Sequence, residues 1–377
     1  MGDGVYGILG ALEQERALLP AKERMRAATG PLLSWYRENA RSLPWREEPT
    51  PYHVWISEIM LQQTRVEAVR EYYRRFLEAL PDIDALAKVP EERLLKLWEG
   101  LGYYNRARNL KKAAEEIVAR HGGEFPASYE EILALPGIGP YTAGAISSIA
   151  YGIPEPAVDG NVLRVISRLL ADTDDISKQS VKKRTEDLVR SVMPRDAAGD
   201  YTQALMEIGA LVCVPNGAPH CNECPLEKLC LAKREGKTGL IPVKAQKKAR
   251  VIEERTIFAV VRGGQVLLGK RPEKGLLAGL YELPGAKGYL NEEEILGWLG
   301  VQGEDVELLE KLPEAKHIFS HVEWRMKGYY IRLKEGAGTT VGFFADREEA
   351  QDAYALPGAF QIYARYLFGE ERGKLHR

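Results

Sequence analysis

The sequence predicts two domains, a nearly all-α N-terminal one and an α+β C-terminal one, and three observations carry that reading. Apolar residues recur at helical spacing in successive stretches from Met25 to Ala210. All four cysteines then fall in one eighteen-residue window, Cys213 to Cys230, and a basic stretch follows. From Arg255 onward the helical period gives way to strand alternation and turn chemistry. At 377 residues the chain is long enough for two cores, and 45% apolar with 28% charged residues is ordinary for a globular protein. The net charge of -2 argues against a protein that coats nucleic acid, so binding of that kind needs a localised basic face. No run of about 18 apolar residues is present to span a bilayer. Met1 to Leu12 also lacks a basic leader region, so no membrane and a cytoplasmic location are expected.

Taken in order, Met25 to Arg37 and Tyr52 to Leu80 read as helices, and more follow up to Ala210. Pro81, Pro90, Pro126, Pro136 and Pro154 fall between the periodic stretches, where helix starts and loops accept a residue without a backbone N–H. Lys233, Arg234, Lys237, Lys244, Lys247, Lys248 and Arg250 face a single acid, Glu235, which marks a basic linker. Ile257-Phe258-Ala259-Val260-Val261, a Gly263-Gly264 turn and Gln265-Val266-Leu267-Leu268 read as a hairpin. The expected limits are an N-terminal extension of no assigned function over 1–24, a helical domain over 25–234, a linker over 235–254 and the second domain over 255–377. No internal repeat or low-complexity tract appears.

The most telling stretch is Leu135-Pro136-Gly137-Ile138-Gly139-Pro140-Tyr141-Thr142-Ala143. A helix that stops at Pro-Gly, crosses a glycine hairpin and restarts leaves backbone N–H groups bare at a new helix N-terminus, where the phosphates of a nucleic-acid backbone bind well. Gly137 and Gly139 form that grip. Val158-Asp159-Gly160-Asn161 follows within twenty residues and brings a carboxylate toward whatever the grip holds.

Cys213, Cys221, Cys224 and Cys230 look like the ligands of one metal centre, since disulfides suit a reducing compartment poorly. Paired Cys-x2-Cys spacings favour zinc, whereas the uneven Cys-x7-Cys-x2-Cys-x5-Cys run suits a four-iron cubane. Zinc and free thiols remain alternatives. Glu58 is the only ionisable group of Trp55-Ile56-Ser57-Glu58-Ile59-Met60-Leu61-Gln62-Gln63-Thr64. Such surroundings raise a carboxyl pKa and leave a proton available near neutral pH, as a general acid requires. The alternative is a glutamate on the solvent face of an amphipathic helix. With Asp159 it would complete the pair of carboxyl groups used to cleave glycosidic bonds.

With these residues the chain resembles the adenine-specific DNA glycosylases of the helix-hairpin-helix superfamily, the MutY family, which excise adenine mispaired with 8-oxoguanine. The resemblance runs from about Met25 to Leu367. It rests on Leu43-Pro44-Trp45-Arg46, the Glu58 helix ending in Leu61-Gln62-Gln63-Thr64-Arg65, Leu101-Gly102-Tyr103-Tyr104, the hairpin, Val158-Asp159-Gly160-Asn161 and the cysteine run. It implies a helix-hairpin-helix glycosylase domain with a [4Fe-4S] loop and a Nudix-like domain that inspects the base opposite adenine. It implies double-stranded DNA with A:8-oxoguanine or A:G mispairs as partner, a monomer, and association with the nucleoid if the source is bacterial.

By the same resemblance Glu58 protonates adenine N7 and Asp159 opposes the positive charge growing on the sugar. Tyr141 and Asn161 are similar to family residues that orient Asp159 and the intermediate, and Trp45, Arg46 and Gln203 to residues around the flipped base. Gln63 and Tyr103 wedge into the duplex, with Gln62 and Leu101 nearby. For Tyr103 ordinary packing beside a glycine turn is the alternative. Phe319-Ser320-His321 matches the family's recognition loop, though it also reads as a turn entering a strand. Ser320 both donates and accepts, which suits the guanine edge altered by oxidation.

Three further features refine the reading. Superfamily members that also cut the strand carry a lysine where Tyr141 stands, to form a Schiff base with the sugar, so a monofunctional enzyme is expected. Leu276-Leu277-Ala278-Gly279-Leu280-Tyr281-Glu282-Leu283-Pro284-Gly285 resembles the lead-in to a Nudix box. The Arg-Glu-x-x-Glu-Glu helix that would hold Mg²⁺ does not follow it, so this domain is expected to recognise and not to hydrolyse. Seven residues, Val214 to His220, separate the first two cysteines where the family has six.

Overall fold

The structure is a computed structural model that describes residues 20–245 and 249–369. It divides into two compact units, Met1–Ala87 with Lys112–Gln246 and Lys88–Lys111 with Lys247–Arg377. The linker residues Lys247 and Lys248, and residues 1–19 of the expected extension, lie outside the described residues.

The first unit is helical. The first helix among the described residues, Ala21–Asn39, begins inside the expected 1–24 extension; Arg24 in it is buried and its Nη1 donates to Leu229 O at 2.8 Å. The boundary at residue 25 is therefore too late. The periodic stretch from Tyr52 to Leu80 forms two helices, Pro51–Leu61 and Val66–Ala79, divided where Gln63 adopts a left-handed φ of 60°. Pro51 starts the first of them, and the Thr50 side chain accepts from His53 N at 3.2 Å. This helix buries every residue from Val54 to Met60, so it is the central element of the unit rather than an amphipathic surface helix.

The predicted hairpin joins the helices Tyr129–Ala134 and Pro140–Tyr151. Gly137 takes a φ of 76°, which permits the tight reversal. Gly144 lets the second helix close on the next loop, since a Cβ there would lie 2.0 Å from Pro156 O. Helices Gly160–Leu170, Gln179–Arg190 and Ala198–Leu211 complete a core that includes Leu32, Val162, Ile166, Tyr201 and Ile208. No helix among the described residues is long and apolar enough to cross a membrane.

The second unit is built on a mixed sheet. Its strands are β1 (Val251–Arg262), β2 (Gln265–Lys270), β3 (Tyr281–Glu282), β4 (Gly285–Lys287), β5 (Val306–Ile318), β6 (Val322–Leu333) and β7 (Phe343–Asp346). The order is β3-β2-β1-β6-β5, with β4 on β1 and β7 on β2. β1 and β2 form the predicted hairpin, Val261 opposite Val266, while β1 and β6 run parallel over twelve residue pairs. β1 starts four residues before Arg255, inside the expected 235–254 linker, because Val251 to Glu254 already pair with β6.

The unbroken apolar run in β1 follows from burial on both faces. Ile257, Ala259 and Val261 join the core under helix Gln361–Phe368, while Phe258 and Val260 pack with Ile295 and Leu299 of helix Glu292–Leu299. After Gly285 the chain enters this last helix through a capping box of Asn291 and Glu294. The segment Lys88–Lys111 belongs to this unit through polar links. Tyr281 donates its hydroxyl to Glu92 at 2.9 Å, Leu356 N donates to Glu99 at 2.8 Å, and Arg108 donates to Ala278 O at 2.9 Å.

Candidate active site

Seven helices of the first unit contribute residues to a cleft of about 800 Å³. Trp45, Arg46, Glu58, Gln62, Gln63, Gly139, Tyr141, Asp159, Asn161 and Gln203 all line it, so residues dispersed over more than half the unit's length meet there. Gly137 stays in the hairpin turn and is not among the lining residues.

Glu58 sits at the centre. Its helix is buried on every side, and the glutamate itself is 6% exposed, which excludes the solvent-face alternative. The Tyr141 hydroxyl donates to Glu58 Oε2 at 2.5 Å. Burial pushes the Glu58 carboxyl up to about 7; Asp159 adds to the rise, while the Tyr141 bond and the Arg46 charge oppose it. A carboxyl so shifted is partly protonated near neutral pH.

Asp159 is the N-cap of helix Gly160–Leu170. One carboxylate oxygen accepts from Asn161 N and Val162 N, each at 2.8 Å, and the other accepts from Asn161 Nδ2 at 2.8 Å. Burial raises its pKa, and these donors together with Arg164 pull it back. Asn161 is fixed in turn, since its Oδ1 accepts from Arg164 Nη2 at 2.8 Å. Gly209 brings helix Ala198–Leu211 against this corner, because a Cβ at 209 would lie 2.7 Å from Asn161 Cβ. The hairpin supplies the remaining wall. Gly139 caps helix Pro140–Tyr151 with no side-chain acceptor, so the first-turn N–H groups of Tyr141 and Thr142 have no capping partner.

Sequence reasoning missed Glu207. It is 1% exposed and accepts from Arg41 Nε at 2.7 Å and from Arg46 Nη2 at 2.9 Å. Burial alone would raise this carboxyl, but the two guanidinium groups outweigh it and hold the pKa at about 2. The signal was present, as Glu207 is the lone ionisable group of Ala204-Leu205-Met206-Glu207-Ile208-Gly209, the same pattern that marked Glu58. Glu207→Ala is expected to cost about 3 kcal/mol of stability by leaving two guanidinium groups uncompensated, read by urea denaturation at pH 7. Because the folded pKa is depressed, the wild-type stability from this pair is present above pH 4.5 and is lost as pH falls toward about 2.

The four cysteines wall a second, smaller cavity in the same unit. Arg168 Nη1 donates to Cys213 Sγ at 3.2 Å, and Arg164 Nε donates to Cys213 O at 2.7 Å, which ties this loop to the Asp159 helix. Burial lifts the Cys224 thiol to about 12, and the other three cysteines add to the rise. Among the described residues no three Cys, His, Asp or Glu converge closely enough to hold a single metal ion. Four thiols around one cavity are the donor set that a four-iron cluster takes.

The other expected residues lie in the second unit. Phe319, Ser320 and His321 form the tight connection from β5 to β6, with Phe319 N donating to Val322 O at 2.8 Å. Phe319 packs edge-on against Trp324 at 4.9 Å and His317 at 4.6 Å, while Ser320 and His321 are exposed. The Tyr103 hydroxyl lies 3.3 Å from Ser320 Oγ. Tyr103 is 48% exposed, whereas Leu101 is buried. Four non-glycine residues among those described have positive φ, and two of them are the expected wedges Gln63 and Tyr103, at 60° and 49°. Backbone strain of this kind collects where function demands it.

Comparison with known proteins agrees with this architecture. Residues 56–191 match the family of HhH-GPD superfamily base excision DNA repair proteins, and residues 256–365 match the NUDIX domain. The adenine DNA glycosylase of Buchnera aphidicola subsp. Baizongia pistaciae (strain Bp) is 36% identical over 81% of this chain and 86% of its own. That of Mus musculus is 34% identical over 91% of this chain and 79% of its own. Among solved structures, a thermostable thymine-DNA glycosylase superimposes with a TM-score of 0.51 at 28% identity, covering 56% of this chain and 98% of that one. Endonuclease III in a non-covalent complex with DNA gives 0.50 at 25% identity, over 58% and 99% of the two chains. A helical unit with a hairpin and a cysteine loop, followed by a Nudix-like sheet, places this chain in the adenine DNA glycosylase family, the MutY branch of the helix-hairpin-helix superfamily.

Proposed function

We propose that this protein is a monofunctional DNA glycosylase of base excision repair that hydrolyses the N-glycosidic bond of adenine opposite 8-oxoguanine or guanine and leaves an abasic site. The observation that carries this reading is the cleft in which a protonated Glu58, hydrogen-bonded to Tyr141, faces the electrostatic field of Asp159. The duplex is held by backbone N–H groups at Gly137 and Gly139, and adenine is flipped into the cleft because its C1′–N9 bond is unreachable in the stack. Gln62, Gln63, Leu101 and Tyr103 fill or border the gap, while Trp45, Arg46 and Gln203 surround the extruded base.

Glu58 gives its proton to adenine N7, so that the C1′–N9 electron pair leaves on a neutral base. The Asp159 carboxylate opposes the cation that grows on the sugar, held in place by Asn161, and Tyr141 keeps Glu58 oriented. Water then adds to C1′ and returns its proton to Glu58. Tyr141 has no amine for a Schiff base, which supports a reaction that stops at the abasic site. In the second unit Phe319 anchors the β5–β6 connection, and Ser320 and His321 read the opposite base. Cys213, Cys221, Cys224 and Cys230 would hold a [4Fe-4S] cluster, whose part here is to pin the loop through Arg164 and Arg168. The protein acts as a monomer on DNA in the cytoplasm, at the nucleoid if its source is bacterial.

A single-turnover assay on duplexes with adenine opposite 8-oxoguanine, guanine or thymine, with and without alkali, tests the reading. Base release opposite 8-oxoguanine, with strand breaks only after alkali, is expected. Breaks without alkali would overturn the monofunctional assignment, and no release opposite 8-oxoguanine would overturn the substrate.

A further inference from the structure

We infer that Arg106 is the positioning residue that holds Tyr103 ready for insertion into the duplex, and that base flipping by this protein depends on it. The inference rests on the reading of Tyr103 as a wedge. The turn between helices Glu91–Leu97 and Asn105–His121 contains three residues of positive φ, Gly100 at 95°, Gly102 at 69° and Tyr103 at 49°. The glycines accept this conformation freely, but a tyrosine resists it because its Cβ crowds the backbone. Something must hold the tyrosine there.

Arg106 meets that requirement from two sides. Its Nη2 donates to Leu101 O at 3.0 Å and to Gly102 O at 3.1 Å, the carbonyls of the two residues that lead into Tyr103. Its guanidinium also lies over the Tyr103 ring at 5.6 Å and over the Trp98 ring at 5.4 Å. Trp98 Nε1 donates to Gly102 O at 3.1 Å and so grips the same peptide. Burial lowers the Arg106 pKa to about 10, so the group stays charged at neutral pH. One terminal nitrogen of the guanidinium serves two neighbouring carbonyls while the planar group lies against two aromatic rings; a lysine ammonium, a compact point charge without that plane, reproduces the combination less well. The ring thus fixed projects into solvent with its hydroxyl beside Ser320, so one guanidinium aligns the wedge with the recognition loop. Pre-set geometry of this kind removes an ordering cost that would otherwise fall on the flipping step.

The test is a double-substitution cycle in the full-length, cluster-loaded protein. Duplexes carry 2-aminopurine beside adenine opposite 8-oxoguanine, and both base unstacking by stopped-flow fluorescence and single-turnover base release are followed. Arg106→Met is expected to slow unstacking and base release together by about 10-fold or more, with Arg106→Lys in between. Tyr103→Ala is expected to slow both as well, and the double variant is expected to be no slower than Tyr103→Ala alone, because Arg106 acts through the tyrosine. Losses that multiply in the double variant, or unstacking unchanged by Arg106→Met, would overturn the role of Arg106. Unstacking unchanged by Tyr103→Ala would overturn the wedge reading and this inference with it. If Arg106→Met does not fold, Arg106→Lys carries the same cycle.

Discussion

Asp159→Asn is expected to reduce single-turnover base release by about 10³-fold while duplex binding survives, as removal of a preorganised electrostatic partner does. The substitution removes the charge and keeps the helix cap. Asparagine is as good an N-cap as aspartate, and its amide oxygen still accepts from Asn161 N and Val162 N, so helix Gly160–Leu170 keeps its start. The second oxygen fares differently. It now accepts from Asn161 Nδ2 at 2.8 Å, and an amide nitrogen there would face another donor. Asn161 cannot turn over to relieve this, because its own oxygen is held by Arg164 at 2.8 Å. The negative charge and the tight orientation vanish together, while the hairpin and the cleft walls that grip the duplex are untouched. Gel-shift binding and base release on the same A:8-oxoguanine duplex check both halves, and release near the wild-type rate would remove Asp159 from the chemistry.

Asp159 and Glu58 were legible in the sequence because each carries a local signature. A lone carboxyl in a stretch of Trp, Ile, Met and Leu has nowhere to go but a buried helix, and an aspartate followed by Gly-Asn is a natural helix cap. The hairpin and β1–β2 were legible for the same reason, since glycine turns declare themselves within a few residues. What escaped is what depends on partners far along the chain. Glu207 has the signature of Glu58, but its opposite fate, a pKa near 2 against one near 7, is set by Arg41 and Arg46 from the other end of the unit. Arg24 belongs to the fold only because it bonds Leu229. The grouping of Lys88–Lys111 with the sheet comes from contacts far apart in sequence, Tyr281 to Glu92 among them, which no periodicity can announce. The break at Gln63 is a backbone strain that polar composition does not reveal.

Glu58→Gln carries the second large effect, an expected loss of about 10² to 10⁴-fold in base release, the range for removing a general acid. The amide keeps the shape and can still accept from Tyr141, so the cleft is preserved and only the proton donor is lost. The wild-type rate should fall as pH rises through about 7, since the protonated carboxyl is the active form, and the Gln variant should lose that limb of the profile. Stability moves in a way that separates this from damage to the fold. The folded-state pKa of Glu58 is raised above its ordinary 4.5, so the proton is bound more tightly in the folded protein. Stability from this group is full below pH 4.5 and is lost as pH rises through about 7, where a buried, desolvated carboxylate must form. Glutamine never ionises and escapes that loss. The variant should therefore melt higher than the wild type at pH 8 and differ little from it at pH 5, while being the poorer catalyst at both. An enzyme made more stable and less active by one neutral substitution is what a buried general acid demands. Calorimetric melts at the two pH values, set beside the rates, decide it, and a wild type that outlasts the Gln variant at pH 8 would show that Glu58 is not held protonated by its burial.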